Sequence, residues 1–166
     1  HWYQKQILYE ETIRVPFIVS GPSVIKKGTV DSSNLISLTD IPPTILDYAD
    51  CDRPSHMIGQ SLLPLLEKGE WEAHDYVVSE TLLGTGTDIV GWAGRMLRTP
   101  DYKYVVYNHG DTPEQLTNML QDPGEMKNLA VELDHKDILD HHRSLLKEWC
   151  ESTGDKFFEE ISCREK

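Results

Sequence analysis

The strongest constraint on the fold is the amphipathic pattern between Asp134 and Thr153. Side chains suited to a core recur there at i, i+1, i+4, i+7, i+8, i+11 and i+12, namely at Ile138, Leu139, His142, Leu145, Leu146, Trp149 and Cys150. This period matches one face of an α-helix, and Gly154 follows it as a stop signal. The pattern therefore predicts a helix that must bury one long face against another element.

Four short runs with a period of two precede that helix and predict its partner. Turn-forming residues separate them, and they comprise residues 75–80, 94–99, 102–108 and 114–120. Alternation of this kind is typical of strands. Because the runs follow one another through short connections, we expect an antiparallel meander that packs against the helix.

The first 70 residues have a different character. VPFIVS at 15–20 is typical of a strand, and the later SLTDIPPTILDYAD predicts a helix capped by Thr39, since Pro42 and Pro43 are tolerated in a first turn. The apolar residues of that helix that would share its core-facing side are Ile41, Ile45, Leu46 and Ala49. We expect this helix to dock on a core.

The glycine-rich stretch LLGTGTDIVG at 82–91 invites comparison with a phosphate-binding loop. It lacks the Lys-Ser/Thr pair of such loops and their strand-to-helix setting. We therefore predict a mobile loop here.

The histidines do not form a metal-binding pattern. His135 and His141 are expected to face solvent from the C-terminal helix, His142 lies near its apolar stripe, and His74 has no evident partner. No carboxylate recurs at a ligand spacing beside them, so we predict no metal site. His109 lies in the tight strand connection NHGDTP, from which a side chain can project toward a ligand or a neighbouring domain, although an ordinary turn histidine is the simpler interpretation.

Charge and cysteine content exclude several classes of partner. Sixteen Lys and Arg residues against 28 Asp and Glu residues give a net charge of −12, which disfavours nucleic acid and anionic membrane surfaces. No apolar run approaches the roughly 18 residues that a membrane span needs. The three widely spaced cysteines, Cys51, Cys150 and Cys163, indicate neither a disulfide framework nor a zinc site.

His1 and Lys5 open the chain at a spacing of i, i+4. On a helix they would share a face, and in a loop both could converge on one anion. Lysine suits a sulfate or phosphate oxygen, and histidine can protonate a leaving group near neutral pH. A solvated terminus is the alternative. Because such side chains crowd the very first positions, we expect the chain to be part of a longer protein.

Several segments, in order, resemble the distal part of the sulfatase family. KQILYEETIRVPFIVSGP, SLTDIPPTILDYA and GQSLLPLL are similar to family segments in which a lysine precedes LYEE..RVP and the patterns SL.D..PT.LD.AG and G.SL.PLL follow. RMLRTPDYKYVVYN and QLTNMLQDPGEMKNLA are similar to the R..KY strand and the DP.E..NLA signature of the family's C-terminal subdomain. The resemblance extends from about residue 4 to residue 150.

The resemblance implies a fold class that agrees with the periodicity. This class is α/β, with α+β character in the second half: the distal part of an alkaline-phosphatase-like sulfatase fold, with a C-terminal four-stranded antiparallel sheet packed against a long amphipathic helix. The chain would then comprise the end of the catalytic α/β domain at 1–70, the sulfatase C-terminal subdomain at 71–154 and a tail at 155–166.

The implied reaction is hydrolysis of a sulfate ester by the full-length parent. In the family, a formylglycine made from the Cys or Ser of a C/S-x-P/A-x-R motif supplies the nucleophile, and a divalent cation, expected to be calcium, neutralises oxygens together with basic side chains. Lys5 matches the family lysine that contacts the sulfate. His1 lies one position too close to Lys5 to match the family histidine, and we retain it only as a neighbour.

The chain departs from the family at the nucleophile. CDRPS at Cys51 has the letters in another order, and neither Cys150 nor Cys163 is followed by the required proline and arginine. We expect the nucleophile and the metal ligands to lie elsewhere in the parent, and this chain alone to be inactive. Its expected partners are a sulfated small molecule or sugar and the rest of the catalytic domain, with substrate preference set partly by residues 82–91 and the His109 turn.

Two alternatives stay open. One is a phosphodiesterase or phosphonate hydrolase of the same superfamily, which could share the scaffold and the lysine. The other is a non-catalytic binding module derived from the sulfatase C-terminus. For a sulfatase parent, family habit favours the periplasm or secretion.

Overall fold

The structure is a computed structural model that describes residues 7–21, 28–85 and 88–162, with side chains for all of these except 83–91 and 160–162. The chain forms two compact units. Unit 1 comprises His1–Val15 and Val78–Lys166, and unit 2 comprises Pro16–Val77. The domain boundaries expected from the sequence stay predictions.

Unit 1 is built on a four-stranded sheet with the order β1-β2-β3-β4. The strands are β1 Val77–Thr85, β2 Asp88–Arg98, β3 Tyr102–Tyr107 and β4 Glu114–Asn118. β3 pairs antiparallel with both β2 and β4, so that Tyr104 lies opposite Leu97 on one side and Leu116 on the other. The predicted meander is confirmed.

A long helix covers one face of this sheet. The α-helices of the described residues are α1 Glu10–Ile13, α2 Ile41–Tyr48, α3 Leu63–Lys68, α4 Lys136–Thr153 and α5 Phe157–Ser162. α4 buries the stripe Leu139, His142, Leu146 and Cys150. The His142 ring meets the Tyr102 ring of β3 at a centroid distance of 5.8 Å. Gly154, at a φ of 73°, ends α4 and donates its N–H to the Cys150 carbonyl, as the sequence predicted.

The other face of the sheet is covered by the N-terminal segment. Leu8 forms a buried cluster with Met96 and Val105, and Ile13 and Tyr107 pack around it. Because both faces are covered, the four central residues of β3 are buried in succession instead of alternating.

Unit 2 contains α2 and α3, and its details differ from the prediction. Ser37, not Thr39, begins the helical segment: its side chain accepts the Thr39 N–H while Asp40 accepts the Ser37 N–H, which forms a capping box. The predicted core-facing side of α2 is wrong, because Ile45 is 61% exposed and Ala49 is exposed, whereas Pro43 is buried. The residue after Pro43, Thr44, accepts the Leu62 N–H through its Oγ1.

Two further predictions are wrong. Residues 15–20 form no strand, because no neighbouring strand among the described residues supplies hydrogen bonds, and Ile18 is 89% exposed. In the stretch 82–91, the described residues 82–85 belong to β1 and 88–91 to β2, and residues 86–87 lie outside the described residues. Thr85, Ile89 and Val90 are β-branched residues that favour strand backbone, and this outweighs the glycines.

The tail left unassigned by the sequence contains α5, whose Phe157 is buried. Arg95 of β2 lies over the Phe157 ring at 4.7 Å and pairs with Asp155, so this end of the chain is attached to the sheet. Within the described parts of the chain, no helix is long and apolar enough to cross a membrane.

Candidate functional site

The two residues that the sequence places closest to sulfate chemistry, Lys5 and His1, lie outside the described residues. Their roles stay predictions. The structure does describe the segment that follows directly, from residue 7 onward.

Leu8 attaches the segment to the sheet by burial and by its backbone. Its side chain is 3% exposed and packs on Met96 and Val105. Its N–H donates to the Tyr107 Oη at 3.0 Å. Burial raises the pKa of Tyr107, so the phenol stays protonated and its oxygen serves as a neutral acceptor over the ordinary pH range. Leu8 is thus fixed at both its side chain and its amide.

A buried ion cluster fixes the next turn of chain, and we call Lys103, Glu10 and Glu125 the anchor cluster. The Lys103 side chain is 0% exposed, and its Nζ lies 2.7 Å from Glu125 Oε1 and 3.4 Å from Glu10 Oε1. Glu125 Oε2 also accepts the Glu10 N–H at 2.7 Å. Both carboxylates therefore serve one buried ammonium, and one of them also holds the backbone of α1.

A strained turn aims Glu125 into this cluster. Glu125 has a φ of 54°, in the left-handed region that non-glycine residues rarely adopt. Its N–H donates to the Asp122 carbonyl at 3.1 Å, and Asp122 Oδ2 accepts the Lys127 N–H at 2.8 Å. The DPGE sequence thus closes a loop on itself, and the unfavourable φ is retained where a carboxylate must point inward.

Asn128 joins that turn to the edge strand β4. Its Oδ1 accepts the N–H groups of Leu116 at 3.1 Å and Ala130 at 2.9 Å, and its Nδ2 donates to the Glu114 carbonyl at 2.9 Å. The Asn128 side chain therefore supplies hydrogen bonds to the backbone of β4, as a neighbouring strand would. The polar residues of the DP.E..NLA pattern, Asp122, Glu125 and Asn128, thus each form hydrogen bonds that hold this part of the fold.

The other two resembling segments meet in unit 2 around a buried carboxylate. Asp40 is 0% exposed and accepts the N–H groups of Ser37 at 2.8 Å and Gln60 at 2.9 Å. His74 Nε2 lies 3.0 Å from both Asp40 oxygens, and the Trp71 ring contacts the His74 ring edge-on at 5.2 Å. Asp40 therefore joins three separate stretches of unit 2.

Close backbone contact completes this junction. Thr44 Oγ1 donates to the Asp40 carbonyl and accepts the Leu62 N–H at 2.8 Å. A Cβ added to Gly59 would lie 1.8 Å from the Thr39 carbonyl oxygen, so only glycine fits there. The SL.D..PT and G.SL patterns are thus two halves of one packing contact.

His109 is exposed in the connection between β3 and β4, where the sequence placed it. Its ring lies 5.7 Å from the Trp92 ring at a tilt of 33°. Its role in substrate binding, like that of residues 82–91, stays a prediction. His142 is buried, with Nδ1 2.7 Å from the Ile138 carbonyl oxygen and Nε2 3.1 Å from Thr99 Oγ1, which makes it a core residue.

His135 is half-buried and does not face solvent as predicted. Its Nδ1 is buried and has no hydrogen-bond partner among the described residues. His135 is the last residue of a short helical turn at Leu133–His135 that leads directly into α4. His141 is exposed, as expected.

Sequence reasoning missed the residues that organise both units. Lys103 carried a usable signal, since a lysine in the core-facing run YKYVVY needs a buried counterion. Glu125 and Asp40 carried a weaker one, as acidic residues within the resembling segments. His74 carried none, because its partner lies 34 positions away in the chain.

The residues present do not by themselves fit the cation that the resemblance implies. Within residues 7–21, 28–85 and 88–162, no group of three or more His, Cys, Asp or Glu side chains could hold a metal ion. The sequence also contains no C/S-x-P/A-x-R motif. No step through a metal or a formylglycine is therefore derived from this chain.

Comparison with known proteins agrees with this architecture. Residues 1–152 match the family model of the C-terminal region of N-sulphoglucosamine sulphohydrolase, and the chain belongs to this sulfatase C-terminal family. It is 39% identical over 152 residues to a Delta 4,5-hexuronate-2-O-sulfatase of Bacteroides thetaiotaomicron, covering 90% of this chain and 31% of that protein. The resemblance seen in the sequence is confirmed.

Solved structures show the same relationship. A structure described as a 2-O GAG sulfatase superposes with a TM-score of 0.81 at 36% identity, covering 92% of this chain and 33% of the other. A second, solved in complex with its substrate D-glucosamine-2-N,6-O-disulfate, has a TM-score of 0.80 at 26% identity and covers 94% and 32%. The predicted fold class is confirmed, and the chain spans about a third of the length of these relatives.

Proposed function

We propose that the whole protein to which this chain belongs hydrolyses sulfate esters of sugars, and that Lys5 contacts the sulfate. One observation carries this proposal. The segment that follows Lys5 is fixed on the sheet by Leu8 and by the anchor cluster, whose residues lie within the segments that resemble sulfatases. A sulfate-binding lysine needs such a preorganised backbone.

The chemistry assigned to Lys5 is neutralisation of charge. A lysine ammonium that faces a sulfate oxygen stabilises the negative charge that moves to the oxygens as the ester bond breaks. The formylglycine nucleophile and the divalent cation, for which we retain calcium, would come from residues outside this chain. His1 stays a secondary candidate as the neighbour of Lys5.

A sugar sulfate is the favoured substrate class because the similar proteins are named for such compounds. One is a hexuronate-2-O-sulfatase, and another was solved with a glucosamine carrying 2-N and 6-O sulfates. The exposed His109 lies beside Trp92, and we expect this aromatic pair to contact a sugar ring.

The test is sulfate release by the full-length protein. The purified protein is incubated separately with an unsaturated hexuronate 2-O-sulfate, with D-glucosamine-2-N,6-O-disulfate, and with a matching phosphate ester and phosphonate ester. Inorganic sulfate and phosphate are then quantified by ion chromatography. Release from a sulfated sugar supports the proposal. Turnover of only the phosphorus esters would favour the phosphonate hydrolase alternative, and no turnover would favour a binding module.

Lys5→Ala tests the assigned residue. We expect kcat to fall by on the order of 10²-fold or more, the usual effect of removing one charge-stabilising donor. Lys147→Ala is the matched control, because the Lys147 side chain is 67% exposed on α4. Wild-type rates from the Lys5 variant would contradict its assignment.

A further inference from the structure

We propose that Lys103 is a positioning residue for the sulfate-binding segment. Through Glu10 and Glu125 it fixes the backbone of residues 8–10 on the sheet and thereby sets the place of Lys5. This inference rests on the function proposed for Lys5. It adds a second lysine, Lys103, that supports sulfate binding without contacting the substrate.

The burial of Lys103 shows that its charge has a purpose other than solubility. Its side chain is 0% exposed, on the central strand β3, where Arg98 and Thr117 are its cross-strand partners. Replacing a buried ion pair by apolar side chains often leaves stability unchanged or raises it. Stability alone therefore gives no reason for a charge at this position, whereas a required geometry does, because charged hydrogen bonds prescribe direction and distance.

The contacts of Lys103 converge on one short piece of backbone. The Leu8 N–H is held by Tyr107 from β3, and the Glu10 N–H is held by Glu125. Lys103 Nζ lies 2.7 Å from Glu125, the acceptor of the Glu10 N–H, and 3.4 Å from the Glu10 carboxylate. It therefore holds Glu10 both through its backbone and through its side chain. Removing the ammonium would take away the cation nearest to both carboxylates and leave Arg98 as their remaining charge partner. We expect this loss to loosen residues 8–10.

The distance to Lys5 is short enough for this to matter. Lys5 stands three positions before Leu8 in the sequence, and three residues of fully extended chain span at most about 11 Å. A displacement of about 1 Å at a charge-stabilising group can cost on the order of 10²-fold in rate. The anchor cluster is therefore within reach of the reaction without contacting it.

The experiment is a double-mutant cycle in the full-length enzyme, with sulfate release from a sulfated sugar as the assay. The variants are Lys103→Met, Lys5→Ala and the double variant. We expect Lys103→Met to lower kcat by about 10²-fold in the wild-type background, but by less than about threefold when Lys5 is already alanine. Equal losses in both backgrounds would overturn the proposal while leaving the role of Lys5 intact.

A control separates positioning from loss of stability. Glu114→Gln weakens the pairing of Glu114 with Arg143 and Tyr104 on the opposite face of the same sheet, away from residues 8–10. We expect this variant to lower the melting temperature while retaining kcat. If it lowers kcat as much as Lys103→Met at the same loss of melting temperature, Lys103 acts only on stability and the proposal is overturned.

A readout independent of activity is amide hydrogen exchange. In Lys103→Met the Leu8 and Glu10 amides should exchange at least about tenfold faster, while amides in the β2–β3 ladder keep their protection. Unchanged exchange at these two amides would overturn the anchoring even if the enzyme proved to be a sulfatase. If Lys103→Met does not fold, Glu10→Gln retains the Lys103–Glu125 pair and must give the same cycle and exchange pattern in weaker form, or the proposal is overturned.

Discussion

Asp40→Asn should destabilise unit 2 although it changes a single atom. Asp40 Oδ1 accepts the Gln60 N–H and Oδ2 accepts the Ser37 N–H, so each oxygen has a backbone donor. An asparagine must turn its NH₂ group toward one of them. The N–H that faces the NH₂ group then loses its hydrogen bond to a charged acceptor, which costs about 1.5–3 kcal/mol. We expect a loss of about 1.5–3 kcal/mol in the free energy of unfolding.

Denaturant unfolding of the full-length protein, followed by fluorescence, measures this loss. Trp71 lies edge-on to His74, so its emission adds a contribution from the Asp40 junction to the total fluorescence of the protein. Asp47→Asn is the matched control, because Asp47 pairs with the exposed Arg53 and should contribute little. A shift for Asp40→Asn no larger than that of the control would refute the view that this carboxylate joins unit 2.

Two more predictions concern packing and pH. Gly59→Ala would place a Cβ 1.8 Å from the Thr39 carbonyl oxygen, so we expect loss of soluble protein or a much lower melting temperature. Gly124→Ala is the control, because a Cβ there would have no atom nearer than 3.7 Å, and this variant should melt as wild type. Burial lowers the pKa of His142 below its ordinary 6.5, so the unfolded chain binds more protons and stability falls as the pH drops below about 6.5. His142→Gln should flatten that part of the profile of melting temperature against pH from 8 to 5; an unchanged slope would assign it to other groups.

The parts of the fold that could be predicted from the sequence are those that depend on local patterns. α4 was predictable because its buried residues recur at helical spacing and Gly154 ends it, both within 20 positions. The strand at residues 15–20 failed for the opposite reason, since a strand is completed only by a neighbour that supplies hydrogen bonds. Alternation in a short run indicates that a segment can form a strand, and the partner decides whether it does.

The organising contacts of the candidate site were beyond local reasoning. Lys103 pairs with a glutamate 93 positions earlier, and the Glu10 amide with a carboxylate 115 positions later. No period or spacing connects such residues. The resemblance to sulfatases brought the segments to attention, but the physical reason for Glu125, a left-handed residue that serves a buried lysine, required the fold.

The same separation in sequence orders events during synthesis. The segment at residues 7–13 leaves the ribosome long before β3, and the acceptor of the Glu10 amide is made 115 residues later. Until then Leu8 has no cluster to enter and Glu10 has no buried ammonium to meet. Residues 7–13 are thus translated before β3 and the Glu125 turn, and they can dock only after both have been made. During that interval their apolar and acidic side chains stay exposed to water or are bound by chaperones.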